Sequence, residues 1–145
     1  MLRGSAFAAL LGAAALLAPV AVAASRPSAA PAHISLNKVS VVRRSDGVSV
    51  KLVHRGRSAS FRAQYTITGG SGTGQLVMRI HQGAWLFTIS SHPQHVHPGV
   101  WRFAANAAIP ARFPAATYTL TTTVTLRKGS KTVATAEGHR SLHVD

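Results

Sequence analysis

The chain has 145 residues, with 16 Lys and Arg, three Asp and Glu, eight His and no Cys. The absence of thiols excludes disulfides, iron–sulfur clusters, thiol catalysis and a lipidated N-terminal Cys. Only Asp46, Glu137 and Asp145 supply side-chain carboxylates, so the composition argues against paired-carboxylate hydrolysis and against Mg²⁺ or Ca²⁺ sites.

Residues 1–24 have the pattern of a secretory signal peptide. Arg3 is followed by an apolar run rich in Ala and Leu from Ser5 to Ala18, and the small residues Ala21–Ala24 provide a cleavage site. The alternative is an uncleaved membrane anchor, although the run is short for a spanning helix. We therefore predict a secreted or periplasmic protein of the bacterial cell envelope, with no transmembrane span after signal cleavage.

The remainder divides into a spacer, residues 25–32, and a domain, residues 33–145. The spacer is rich in Ser, Pro and Ala, which is typical of flexible linkers. In the domain, apolar and polar residues alternate with a period of two, which predicts half-buried antiparallel strands. The expected strands cover residues 34–43, 48–54, 59–68, 75–81, 84–90, 99–105, 116–127 and 131–144. Turn residues separate them, so we expect an all-β, antiparallel sandwich of about seven to eight strands.

The seven residues from Pro114 to Leu120, Pro-Ala-Ala-Thr-Tyr-Thr-Leu, carry a resemblance to a known family. They are similar to the Pro-Ala-Gly-Thr-Tyr-Thr-Leu entry of the penultimate strand in bacterial secreted immunoglobulin-like modules, with Ala116 in place of Gly. The resemblance implies an immunoglobulin-like sandwich in which Tyr118 bonds to nearby backbone. Such modules usually act as adhesive, spacer or accessory domains, and the match supports a fold rather than an activity.

Basic residues greatly outnumber acidic residues in the chain expected after signal cleavage. Loss of Arg3 with the leader lowers the formal net charge only from +13 to +12. Such a field favours anionic partners. We expect an anion-binding surface from six basic residues on adjacent predicted strands and turns: Arg43, Arg44, Lys51, Arg55, Arg57 and Arg62. Lipid head groups, cell-wall polymers, acidic glycans or another envelope protein are the expected partners, and export argues against genomic nucleic acid.

A His-rich segment offers an alternative function. His92, His95 and His97 lie within six residues, and His81 precedes them. Imidazole is a common ligand of zinc and copper. In an extended segment His95 and His97 fall on one side, with His92 as a third ligand and His81 as a possible fourth. This pattern is compatible with a periplasmic zinc- or copper-binding protein, whereas the cationic module requires no cofactor.

The motifs of common enzymes are missing. There is no Gly-x-Ser-x-Gly nucleophile elbow, and the Gly-rich stretch Gly69–Gly74 lacks the Lys-Ser/Thr of a phosphate-binding loop. Three acidic residues also leave few partners to orient a catalytic His. We therefore expect a non-enzymatic, secreted interaction or accessory module, with an unidentified hydrolase as the remaining alternative.

Overall fold

The computed structural model describes residues 31–145, in which the alternating hydrophobic pattern forms strands. The predicted signal peptide, residues 1–24, and residues 25–30 of the predicted spacer lie outside the described residues. In the described part there is no helix. Its strands are β1 (His33–Arg43), β2 (Leu52–Val53), β3 (Ser58–Thr68), β4 (Gly72–Gln82), β5 (Trp85–Ser90), β6 (Gln94–Val96), β7 (Gly99–Ala108), β8 (Ala116–Lys128) and β9 (Lys131–Val144).

The strands form two sheets that enclose one hydrophobic core. The smaller sheet has the order β1-β3-β7, and the larger has the order β2-β9-β8-β4-β5, with β6 paired to β4. The predicted all-β sandwich is therefore confirmed. Two details differ from the predicted antiparallel arrangement of about seven to eight strands. Residues 31–145 contain nine strands, and the short β2 pairs with β9 in parallel.

The core consists of the inward-facing side chains of both sheets. Phe61 and Ile67 of β3 pack with Met78 of β4 and Leu120 of β8, and all four are buried. Burial of each such side chain stabilises the fold by about 1.5–3 kcal/mol. The polar row of β8 faces outward as the alternation predicts, whereas Thr122 lies in the inward row and is fully buried.

The predicted strand 48–54 is largely wrong. We expected Val48 and Leu52 on its apolar face, but their exposed fractions are 54% and 44%. The chain here crosses from the smaller sheet to the larger one. The Val50 amide donates to the Val41 carbonyl of β1, and one residue later the Lys51 carbonyl accepts from the His143 amide of β9. Because the segment changes sheets, a single alternating pattern cannot describe it, and only residues 52–53 form a strand.

Two strands extend into segments that the sequence marks as loops. β4 begins at Gly72, inside the Gly-rich stretch, and β6 lies inside the His-rich segment. The absence of a side chain at Gly74 allows this pairing, because a Cβ there would lie 2.9 Å from Cγ2 of Val96. Val96 is consequently fully buried and anchors the His-rich segment to the larger sheet.

Alkaline pH is expected to destabilise the protein through Tyr65. Its ring is buried in the core, and this burial raises the pKa of the phenol above its ordinary value of 10.0. The unfolded chain releases the proton at a lower pH than the folded protein does, so the free energy of unfolding falls as pH rises above about 10. Urea unfolding of wild type and Tyr65→Phe at about pH 8 and about pH 11 checks this. An equal loss in both proteins would contradict it.

Candidate anion-binding cleft

A cleft of about 830 Å³ lies beside the segment that crosses between the sheets. Its lining combines the end of β1, all of β2 and the start of β3. Four of the six predicted anion-binding residues line this cationic cleft: Arg43, Arg44, Lys51 and Arg57. Val50, Leu52 and Val53 add apolar surface, and His54 adds an imidazole. The cleft therefore presents cations beside hydrocarbon.

A tight turn after β1 shapes one side of the cleft. The Gly47 amide donates to the Arg43 carbonyl at 2.9 Å, and the Arg43 amide donates to the Val48 carbonyl at the same distance. Gly47 has a φ of 71°, a left-handed conformation that favours glycine. The Asp46 carboxylate accepts from the Val48 amide at 3.1 Å and from Arg43 Nη1 at 3.0 Å. Asp46 thus pairs with Arg43 and leaves the adjacent Arg44 without a carboxylate.

Most of the positive charge in the cleft is not neutralised by the protein. Each acidic side chain of the described part pairs with a different basic group: Asp46 with Arg43 at 3.0 Å, Asp145 with His54 at 3.4 Å and Glu137 with His139 at 3.0 Å. Among residues 31–145, no carboxylate lies within salt-bridge distance of Arg44, Lys51 or Arg57. All three are exposed, so their charges are available to an anionic ligand.

The other two predicted residues, Arg55 and Arg62, lie outside the cationic cleft. Arg55 Nη1 donates to the Phe113 carbonyl at 2.8 Å and so holds a loop in place. Arg62 is on the outward face of β3, where its Nε donates to Ser60 Oγ at 3.3 Å. Their closeness in sequence to the cleft residues did not show which way the Arg55 and Arg62 side chains point, because neighbouring residues of a strand point to opposite faces.

The structure does not bring the four predicted metal ligands together. His95 on β6 pairs with Thr73, whereas His81 lies eight residues further along β4, a distance of about 27 Å. His97 packs edge-on against Trp101, with ring centroids 5.1 Å apart, and His92 is exposed in the preceding loop. Within residues 31–145 no group of three His, Asp or Glu side chains is placed to hold a metal ion. Metal binding stays a prediction.

His81 instead joins a chain of hydrogen bonds on the outward face of the larger sheet. Its Nε2 lies 3.1 Å from Thr121 Oγ1, which lies 3.0 Å from His139 Nδ1. The His139 Nε2 is in turn 3.0 Å from a Glu137 carboxylate oxygen, whose partner oxygen accepts from Thr123 at 3.3 Å. Alternation predicts that these residues face outward, but only the strand register shows that they are neighbours.

The sequence interpretation passed over two contributors to the cationic cleft. His54 and Leu52 line the cleft but were not among the predicted anion-binding residues. A signal for both was present, since Leu52 and His54 lie between Lys51 and Arg57 in the same short segment. Among the described residues, no helix is long and apolar enough to cross a membrane.

Comparison with known proteins defines the class of fold. No protein-family model matches the chain, and neither does a curated protein. The C-terminal domain of Wzt has a similar structure, with a TM-score of 0.63 and 14% identity over 77% of this chain and 73% of that one. A Niemann-Pick type C2 protein from the Japanese carpenter ant has a TM-score of 0.53 and 4% identity over 81% of this chain and 96% of its own. These likenesses show a β-sandwich fold.

Proposed function

We propose that this chain is a non-enzymatic, immunoglobulin-like binding module, exported to the bacterial cell envelope, whose cationic cleft binds anionic partners. The observation that carries the proposal is the convergence of Arg44, Lys51 and Arg57, all without a carboxylate partner in residues 31–145, on one cleft. The 16 basic and three acidic residues of the chain surround that cleft with a positive field. Export is supported by the leader-like sequence of residues 1–24.

Strand order supports the immunoglobulin-like part of the proposal. The smaller sheet, β1-β3-β7, corresponds to strands A-B-E of an immunoglobulin domain, and β9-β8-β4-β5 corresponds to G-F-C-C′. β8 then takes the place of strand F, which carries a tyrosine corner in that fold. Tyr118 at the start of β8 donates its hydroxyl hydrogen to the Pro114 carbonyl at 2.8 Å. This contact matches the corner that the segment 114–120 implies.

Loss of the corner hydrogen bond is expected to weaken the fold. Tyr118→Phe removes the donor and leaves the Pro114 carbonyl without it, which lowers the free energy of unfolding by about 1 kcal/mol. The ring itself is retained, so its packing against Phe113 is preserved. Urea unfolding near neutral pH measures the loss. Stability equal to that of wild type would show that the corner contributes nothing.

An anionic lipid head group suits the cleft because hydrocarbon lies beside the cations. Leu52 is 44% exposed and lines the cleft with Arg44 and Lys51, and Val50 adds further apolar surface. Basic residues near an anionic membrane contribute about 1 kcal/mol each, and exposed apolar side chains add contact with the acyl boundary. A purely polysaccharide partner would use the cations but not these apolar side chains.

Sedimentation with lipid vesicles tests the proposal. We expect the protein to sediment with vesicles that contain phosphatidylglycerol and to remain in solution with pure phosphatidylcholine. Binding should weaken as salt rises from about 0.05 M to about 0.5 M, because screening shortens the reach of the charges. Equal binding to both vesicle types, or binding that is insensitive to salt, would overturn it. If the protein binds an anionic polysaccharide but neither type of vesicle, the cleft remains the proposed binding site and the partner is a polysaccharide instead of a lipid.

A further inference from the structure

Three neighbouring inward positions of β8 and β9 depart from the apolar pattern of the core. Thr122 is fully buried, and its Oγ1 has no hydrogen-bond partner among residues 31–145. Gly138, its partner across the strand pair, has no side chain, and Arg140, two residues further along, carries a charge on the inward face. An unpaired buried hydroxyl and an inward charge both disfavour folding. The two unfavourable groups lie side by side, which needs a physical explanation. Polar groups that break the apolar pattern of a core in this way are characteristic of functional sites.

These positions line a cleft between the edges of the two sheets, which we call the edge cleft. It has a volume of about 390 Å³ and lies where β1 passes beside β9. Leu36 and Val39 of β1 and Leu120 of β8 form apolar walls, and Lys38 supplies a cation. The β1–β3 pairing shifts register between Leu36 and Lys38. Leu36 occupies space above Gly138, where a Cβ would lie 2.9 Å from Leu36 Cδ2.

Arg140 lines the edge cleft, and most of its guanidinium N–H donors are not used by residues 31–145. Its Nη1 donates to the Val39 carbonyl at 2.8 Å, which ties the guanidinium to the rim formed by β1. A guanidinium has five N–H donors in a planar fork, so several remain for a ligand. The carboxylates of the described part pair with other residues, so none neutralises Arg140. Thr122 lies diagonally across the strand pair, at a separation that a long side chain can span.

We propose that the edge cleft binds a small amphiphilic carboxylate. The carboxylate accepts hydrogen bonds from the Arg140 guanidinium, and a short hydrocarbon tail lies against Leu36 and Val39. A planar carboxylate matches the guanidinium fork. The volume falls at the lower end of the roughly 300–1,000 Å³ of small-molecule sites. Such a ligand pairs with the inward charge of Arg140. The site shares no lining residue with the cationic cleft and does not depend on the function proposed above.

Calorimetric titration with octanoate tests this site. Acetate has the charge without the tail, and 1-octanol has the tail without the charge. We expect octanoate to bind saturably, with one molecule per chain and at least tenfold more tightly than either comparison molecule, because the site uses both parts. A variant of the cationic cleft, Lys51→Gln with Arg57→Gln, should bind octanoate as wild type does, so failure of one site is distinguishable from failure of the other.

Two substitutions separate a binding role from a structural one. Arg140→Gln should weaken octanoate binding about tenfold or more, since it removes a charge-assisted contact, and Arg140→Lys should recover only part of the loss. Thr122→Val should raise the melting temperature, because the unpaired hydroxyl is removed. It should leave octanoate affinity unchanged, because Thr122 is fully buried.

The charge-matched control is Arg79→Gln, on the outward face of β4, which should leave octanoate affinity unchanged. The proposal is wrong if wild type shows no saturable octanoate binding. It is also wrong if Arg79→Gln weakens binding as much as Arg140→Gln does, or if affinity is unchanged in Arg140→Gln.

Discussion

Replacement of Phe113 by Ala is expected to lower the free energy of unfolding by about 3–5 kcal/mol, although Phe113 lies in the loop between β7 and β8. Its side chain is only 1% exposed. The ring stacks on Tyr118 with centroids 6.0 Å apart, meets Phe87 edge-on at 6.4 Å and lies 5.1 Å from Trp85. Phe113 therefore seals the end of the core, and its loss leaves a cavity that the surrounding strands cannot fill.

The backbone of Phe113 explains why collapse of the loop would not repair the cavity. Its amide donates to the Pro110 carbonyl at 3.0 Å, and its carbonyl accepts from Arg55 at 2.8 Å. Urea unfolding of Phe113→Ala measures the effect, and Phe103→Ala, at a half-buried position of β7, is the control with a smaller expected loss. The predicted loss is a large part of the roughly 5–15 kcal/mol that stabilises a typical domain. A loss below about 1 kcal/mol would contradict the role of Phe113.

Neutralisation of the cationic cleft is expected to weaken binding to anionic vesicles on the order of 100-fold. The variant changes Arg44, Lys51 and Arg57 to Gln together. Each basic residue near an anionic surface contributes about 1 kcal/mol, so three contribute about 3 kcal/mol. Arg43 is left unchanged because Asp46 already pairs with it. Vesicle sedimentation at low salt compares the two affinities.

A charge-matched control distinguishes the contribution of the cleft from that of the positive field of the whole protein. Arg79, Arg127 and Lys131 are exposed on the larger sheet and its β8–β9 hairpin, and replacement of all three by Gln removes the same charge. We expect this control to weaken binding only several-fold, through the reduced field. Similar weakening by both triple variants would mean that net charge alone, and not the cleft, accounts for binding.

Periodicity predicted the strands that keep one face to the core throughout. β3 and β8 are correctly placed because Phe61 and Tyr118 repeat with their neighbours at a spacing of two. The period-two pattern gives a wrong strand where the chain leaves one sheet for the other, as at Val48 and Leu52. It also does not predict the burial of Phe113, because an isolated loop residue has no period. That burial depends on aromatic partners from β5 and β8.

The candidate site was predictable in part. Clustering of basic residues in sequence grouped Arg44 with Lys51, and both line the cleft because a turn and a crossing segment hold them near one another. The same reasoning grouped Arg62 with them, but Arg62 lies outside the cleft, since the direction of a strand residue depends on which face the core occupies. The edge cleft could not be predicted, because Thr122 and Arg140 become neighbours only through the pairing of β8 with β9.

The most direct test of the cationic cleft is an NMR titration of the isotope-labelled protein with soluble, short-chain phosphatidylglycerol. We predict that the amide shifts change most in residues 43–59, which contain every residue that lines the cleft. The shifts of the outward face of the smaller sheet, around Arg62 and Arg102, should change little. Shifts spread evenly over all basic residues, or centred on Arg62 and Arg102, would contradict the assignment of the cleft as the binding site.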